Sequence, residues 1–130
     1  MNEIQIPISP GELLDKITIL QIKSERIDDP AKVANVRTEL DMLNAVWQQA
    51  VEDDAEISAL SAELKSINEA LWEIEDDIRD EERNKRFGER FIELARAVYV
   101  TNDERANAKK KVNLHLNSSI VEEKSYQDYK

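Results

Sequence analysis

The chain has 130 residues, 41% of them apolar and 35% charged, with two glycines, three prolines and no cysteine. That balance fits one helix-rich domain with a real core and is too poor in turn residues for a β-sandwich or a dinucleotide-binding unit. It rules out disulfides and thiolate metal sites, and a net charge of −10 speaks against nucleic acid or an anionic membrane as partner.

The charge is unevenly spread. Residues 1–84 hold 21 acidic and 8 basic side chains, whereas residues 85–130 hold 7 acidic and 10 basic ones, so only the last third attracts anions. The first residues lack the basic flank and apolar run of a signal peptide, and no run of eighteen apolar residues exists, which points to a cytoplasmic protein.

Residues 1–9 read as an extended arm in which Ile4, Ile6 and Ile8 alternate with other residues. Ser9-Pro10-Gly11-Glu12 then predicts a helix start: a hydroxyl N-cap, proline at the first position and a glutamate placed to return the capping bond. The first helix, about 10–27, carries apolar residues on more than one stripe, from Leu13 and Leu14 to Ile22 and Ile27, so it is expected at the centre of the fold. Asp28-Asp29-Pro30 ends it and opens the next.

Val33, Val36, Leu40, Leu43, Trp47 and Ala50 are spaced alternately three and four apart, and so are Ile57, Leu60, Leu64, Ile67, Leu71, Ile74 and Ile78. These are heptad seams on helices of about 30–51 and 54–85, separated by Glu52-Asp53-Asp54. The two are expected to fold back as a long antiparallel hairpin at the heart of an all-α bundle of four to five helices. The longer helix outruns its partner, ~45 Å against ~33 Å, so its overhang, with Ile78 and the off-seam Trp72 nearby, offers an interface for a second chain. The last helical segment runs from about 88 to 117, and the capping spacing of Thr101-Asn102-Asp103-Glu104 allows a break near 101. Residues 118–130 form a tail.

Few residues look too specific for scaffold. His115 is the only histidine, so no histidine metal cluster can be built, and no phosphate loop or nucleophile triad is present. Glu12 and Asp15 have the spacing of a Mg²⁺-binding carboxylate pair, as do Glu73 and Asp76, though such pairs also arise on a solvated acidic face. Asn102, Arg105, Lys109 and Asn113 stack along one side of a helix with Arg96 about two turns earlier, a set able to clamp a phosphate or carboxylate or to answer the acidic hairpin. In the tail, Lys124, Tyr126 and Tyr129 suit either a frayed end or a segment docked over that stripe or onto a second subunit.

The segment from Ser9 to Leu20, the group Asn102-Asp103, Arg105-Ala106, Lys109 and Asn113, and the run Glu122-Glu123-Lys124-Ser125-Tyr126 together resemble a family of small bacterial helical proteins classed as a domain of unknown function. The resemblance covers almost the whole chain and carries no activity with it. It implies that the first helix, the polar stripe and the tail meet in one place.

Three functional readings remain at the level of sequence. The first is a non-catalytic interaction or ligand-binding domain, self-associating as a homodimer, with Arg96, Asn102, Arg105, Lys109, Asn113, Lys124 and Tyr126 as ligand contacts and no cofactor evident. The second is a Mg²⁺-dependent enzyme or sensor for an anionic small molecule such as a nucleotide or sugar phosphate, with Glu12 and Asp15 on the metal. The third is a structural adaptor whose acidic hairpin meets a basic protein.

Overall fold

A computed structural model describes residues 2–130, which hold four helices and no strand: α1 (Pro10–Arg26), α2 (Pro30–Ala50), α3 (Ala55–Arg83) and α4 (Glu89–His115). The all-α bundle and its helix bounds match the sequence reading to within two residues. No helix among the described residues is long and apolar enough to cross a membrane.

Each start is built from local chemistry. Ser9 Oγ accepts the Glu12 backbone N–H at 3.2 Å, Asp29 Oδ1 accepts that of Ala31 at 2.9 Å, and Asp54 Oδ1 accepts that of Ile57 at 2.8 Å. Pro10 and Pro30 sit in the first turns, where a missing N–H costs nothing. Only α4 starts without a side-chain cap, from Gly88. Helices α3 and α4 both end with a non-glycine residue in the left-handed region, Lys85 at φ 55° and Asn117 at φ 54°. The N–H groups of Arg86 and Ser118 then reach back to the carbonyls of Glu81 and Asn113, closing Schellman-type turns.

Helix α1 is central, as its double stripe predicts: it packs against α2, α3 and α4, while α3 also packs along α4. Leu13, Leu14, Ile17 and Leu20 of α1 share one core with Val36, Leu40 and Trp47 of α2, Ile57, Leu60 and Leu64 of α3, and Ala108 and Val112 of α4. The two heptad seams therefore serve the core without interlocking. Helices α2 and α3 make no direct backbone approach, because α1 lies between them and receives both seams. The hairpin expected from spacing alone is split by a third helix whose own stripes were broad enough to fill it.

Two further expectations change. The overhang of α3 is not left bare, since α4 runs antiparallel along α3: Arg90 meets Asp77 at 3.5 Å, Lys111 meets Glu63 at 3.3 Å, and His115 Nε2 meets Asp54 Oδ2 at 2.8 Å. Ile78 is half-buried on that covered stretch. Helix α4 also passes through Thr101 unbroken. Its would-be capping side chains are engaged elsewhere: Asp103 accepts from Lys124 at 2.7 Å, and Asn102 turns toward a cleft described below.

Candidate functional site

Four residues of α4, Asn102, Arg105, Lys109 and Asn113, fall within ~80° of one another at ~100° per residue, and all four line one cleft. Arg96, nine residues before Arg105, is rotated by ~180° on the same helix. It is exposed and stands outside the cleft, a correction to the expectation that it joins the stripe.

The stripe faces the first turns of α1, which runs antiparallel to α4. Gly11 N–H donates to Asn113 Oδ1 at 2.7 Å, Lys109 Nζ lies 2.6 Å from Glu12 Oε2, and the Arg105 guanidinium binds both carboxylate oxygens of Asp15. Such close approach depends on Gly11: a Cβ there would fall 2.8 Å from Asn113 Oδ1 and nearer still to the Lys109 carbonyl oxygen.

Asp15 is fully buried and is compensated twice over. Besides Arg105 it accepts from Asn68 Nδ2 at 2.9 Å, and that amide also donates to Thr18 Oγ1 at 3.0 Å, whose hydroxyl donates to the Asp15 carbonyl at 2.8 Å. A buried carboxylate needs this much, because removing one charge from water costs several kcal/mol unless it is paired and hydrogen-bonded. The bond to Asp15 holds the Arg105 guanidinium above its ordinary range, against the effect of burial. For Lys109, burial opposes the charge, yet the bonds to Glu12 and Glu122 outweigh it and raise its pKa. Glu12 and Asp15 are thus neutralised from α4. As Mg²⁺ ligands they would first have to release Lys109 and Arg105, and Glu12 is also not the returning half of a capping box. Glu73, of the other acidic pair, lies 3.6 Å from Arg26.

The C-terminal tail forms the opposite wall. Glu122 lies 2.9 Å from Lys109 Nζ, Glu123 is 4.0 Å from Lys110, and Lys124 Nζ bonds Asp103 while lying 5.4 Å from the centre of the Tyr126 ring. Tyr129 stands edge-on to Tyr99, with ring centres 5.0 Å apart, and its hydroxyl bonds Asp103. The space enclosed between α4 and the tail is an open cleft of about 510 Å³, lined also by Ser125 and Tyr126. His115 stands apart, tying the end of α4 to the N-cap of α3.

What the cleft offers chemically is donors. Because Asn113 Oδ1 is taken by Gly11, its Nδ2 is left over. The residue is 2% exposed, and Nδ2 has no partner among the described residues. Arg105 binds Asp15 through Nε and Nη2, which leaves Nη1 free of protein partners among the described residues. Lys109 has three N–H groups and two carboxylate partners. Sequence reasoning named the stripe, Lys124 and Tyr126, but missed Gly11, Asn68, Thr18 and Glu122. For Gly11 a signal existed, since a glycine inside the first turn of a helix, in a chain with only two, asks for a reason. Asn68 and Thr18 look like ordinary helix-surface residues until α1 and α3 are brought together.

The three segments on which the resemblance rested thus meet in space: the start of α1, the α4 stripe and the run from Glu122 to Tyr126. Residues 4–129 match the model of a family of unknown function, DUF6165. The chain belongs to that family. No curated protein and no solved structure matches it. Membership in DUF6165 extends over the arm, all four helices and the tail, so the cleft is assembled wholly from the matched region.

Proposed function

We propose that this chain is a non-catalytic binding domain for a phosphate-bearing small molecule, and that the cleft between α4 and the tail is its site. The observation that carries the proposal is the Asn113 amide, nearly fully buried with an unpartnered N–H donor at the cleft, beside the spare donors of Arg105 and Lys109. Because the side chain is held by Gly11 and the residue is 2% exposed, that N–H is fixed in place at the cleft, where a phosphate oxygen could accept it without reordering the amide.

Charge bookkeeping favours a dianion. Glu122 and Glu123 lie against Lys109 and Lys110. A phosphate monoester carries about the charge of those two carboxylates near neutral pH, so exchanging one for the other leaves the cluster balanced. Glu122 then acts as a built-in competitor. Glu122→Gln is expected to tighten inorganic phosphate by roughly tenfold, a change of about 1.4 kcal/mol, measured by isothermal titration calorimetry. No binding by either the native chain or the variant at millimolar phosphate would overturn the proposal.

Self-association is a second reading, favoured by the arm, where Ile4 and Ile6 are 75% and 69% exposed. Burying such side chains on a partner stabilises each by about 1.5–3 kcal/mol. Light scattering over a concentration series tests it, and a strict monomer overturns it. A cytoplasmic, bacterial setting belongs to the same proposal and rests on the sequence alone.

A further inference from the structure

A second groove, of about 430 Å³, opens on the other side of α4 between α1 and α3, and Asn102 and Arg105 line both it and the cleft. Its floor contains Asn68, a nearly buried side chain with one amide end open to the groove. Asn68 gives its amide N–H groups to Asp15 and Thr18, so its Oδ1 is the end left over. That oxygen has no partner among the described residues, and the residue is 6% exposed at the groove. The partners fix which end of each amide is spare: Asn68 presents an acceptor to the groove, whereas Asn113 presents a donor to the cleft. Beside Asn68 the groove is lined by Trp72, by Asp76 and by Glu75, whose carboxylate lies 3.3 Å from Arg79 on the same wall. Across Arg105, therefore, the surface changes from donor-rich and cationic to one that sets the acceptors of Asn68 and Asp76 and the Arg79–Glu75 pair beside an aromatic side chain.

We infer that the ligand is a phosphate ester whose organic part reaches past Asn102 and Arg105 into this groove, stacking on Trp72 and donating hydrogen bonds to Asn68, Glu75 and Asp76. The inference rests on the proposed phosphate site and specifies what is attached to the phosphate: a group with an apolar face and outward N–H or O–H donors. A nucleobase with an amino group and a sugar ring both have that chemistry.

Trp72 makes the test direct, since the chain has one other tryptophan, Trp47, which is buried in the core with its indole N–H on Asp53 at 3.0 Å. In a Trp47→Phe variant of the full chain, Trp72 is the sole indole. Adenosine monophosphate and glucose 1-phosphate are titrated separately, with inorganic phosphate as the minimal probe. At least one ester is expected to bind tenfold or more tighter than inorganic phosphate and to change Trp72 emission, and which one does so identifies the source of the donor group. Calorimetry on the native chain and on Trp72→Leu needs no Trp47 change. Trp72→Leu is expected to reduce the ester's affinity to that of inorganic phosphate while inorganic phosphate itself binds within twofold of native. If phosphate binds but both esters bind no tighter, or Trp72→Leu leaves ester affinity unchanged, this inference is overturned and the phosphate site stands. If inorganic phosphate and both esters all fail to bind, the two fall together.

Discussion

At position 11 a methyl group has nowhere to go, because the nearest atoms across the α1–α4 contact are the backbone carbonyl of Lys109 and the side chain of Asn113. A side chain can swing aside, but a carbonyl within a helix cannot do so without moving the helix. Gly11→Ala is therefore expected to destabilise the chain by about 1–3 kcal/mol, the usual cost of overpacking, even though alanine is the better helix former. Chemical denaturation monitored by circular dichroism reads this directly, and a neutral result would mean that α1 and α4 separate easily. Asp15 shows the opposite kind of dependence. Its carboxylate is buried against two partners, Asn68 from α3 and Arg105 from α4, neither of which is near it in sequence.

Helix ends carry a second sort of information. Lys85 closes α3 at φ 55°, a conformation in which a Cβ crowds the following carbonyl at a cost of roughly 1–2 kcal/mol. Its ion pair with Glu82, at 3.3 Å, is exposed and offsets little of that. Lys85→Gly is expected to raise stability by up to about 1 kcal/mol, visible as a higher melting temperature with the fold unchanged. The same scale explains the unbroken α4. A capping box at Thr101 is a local option, and it loses because Asp103 is committed to Lys124 and Tyr129 while both flanking stretches are held by α1 and α3.

For the molecule as a whole the tail is the part most sensitive to conditions. The bond from Lys124, followed by that from Tyr129, holds the Asp103 carboxyl below its ordinary value of 3.8. A depressed carboxylate contributes its stability above the ordinary value and loses it as pH falls through the lowered one. The tail is accordingly expected to stay docked at neutral pH and to loosen below about pH 4. Hydrogen exchange at residues 118–130 would report this as lost protection in acid, and Asp103→Asn should loosen the tail at neutral pH. Salt acts in the same direction, because the Lys110–Glu123 and Lys124–Asp103 pairs are largely exposed and screened.

The sequence by itself determined the helical segments to within two residues, the N-caps of α1, α2 and α3 and the central place of α1, while leaving a break near 101 open, because helix formation is decided by residues within a turn or two of one another and by the period of the apolar positions. It also picked out the α4 stripe, since the angle between residues on one helix follows from their spacing; the same geometry removes Arg96. Only the tertiary structure decided that α1 separates the two seams, that Asp15 and Glu12 are neutralised by α4 rather than free for a metal, and that Asn68 and Asn113 each keep one unpartnered end. Those facts depend on which helix faces which, and periodicity states that a face is apolar without saying what will cover it.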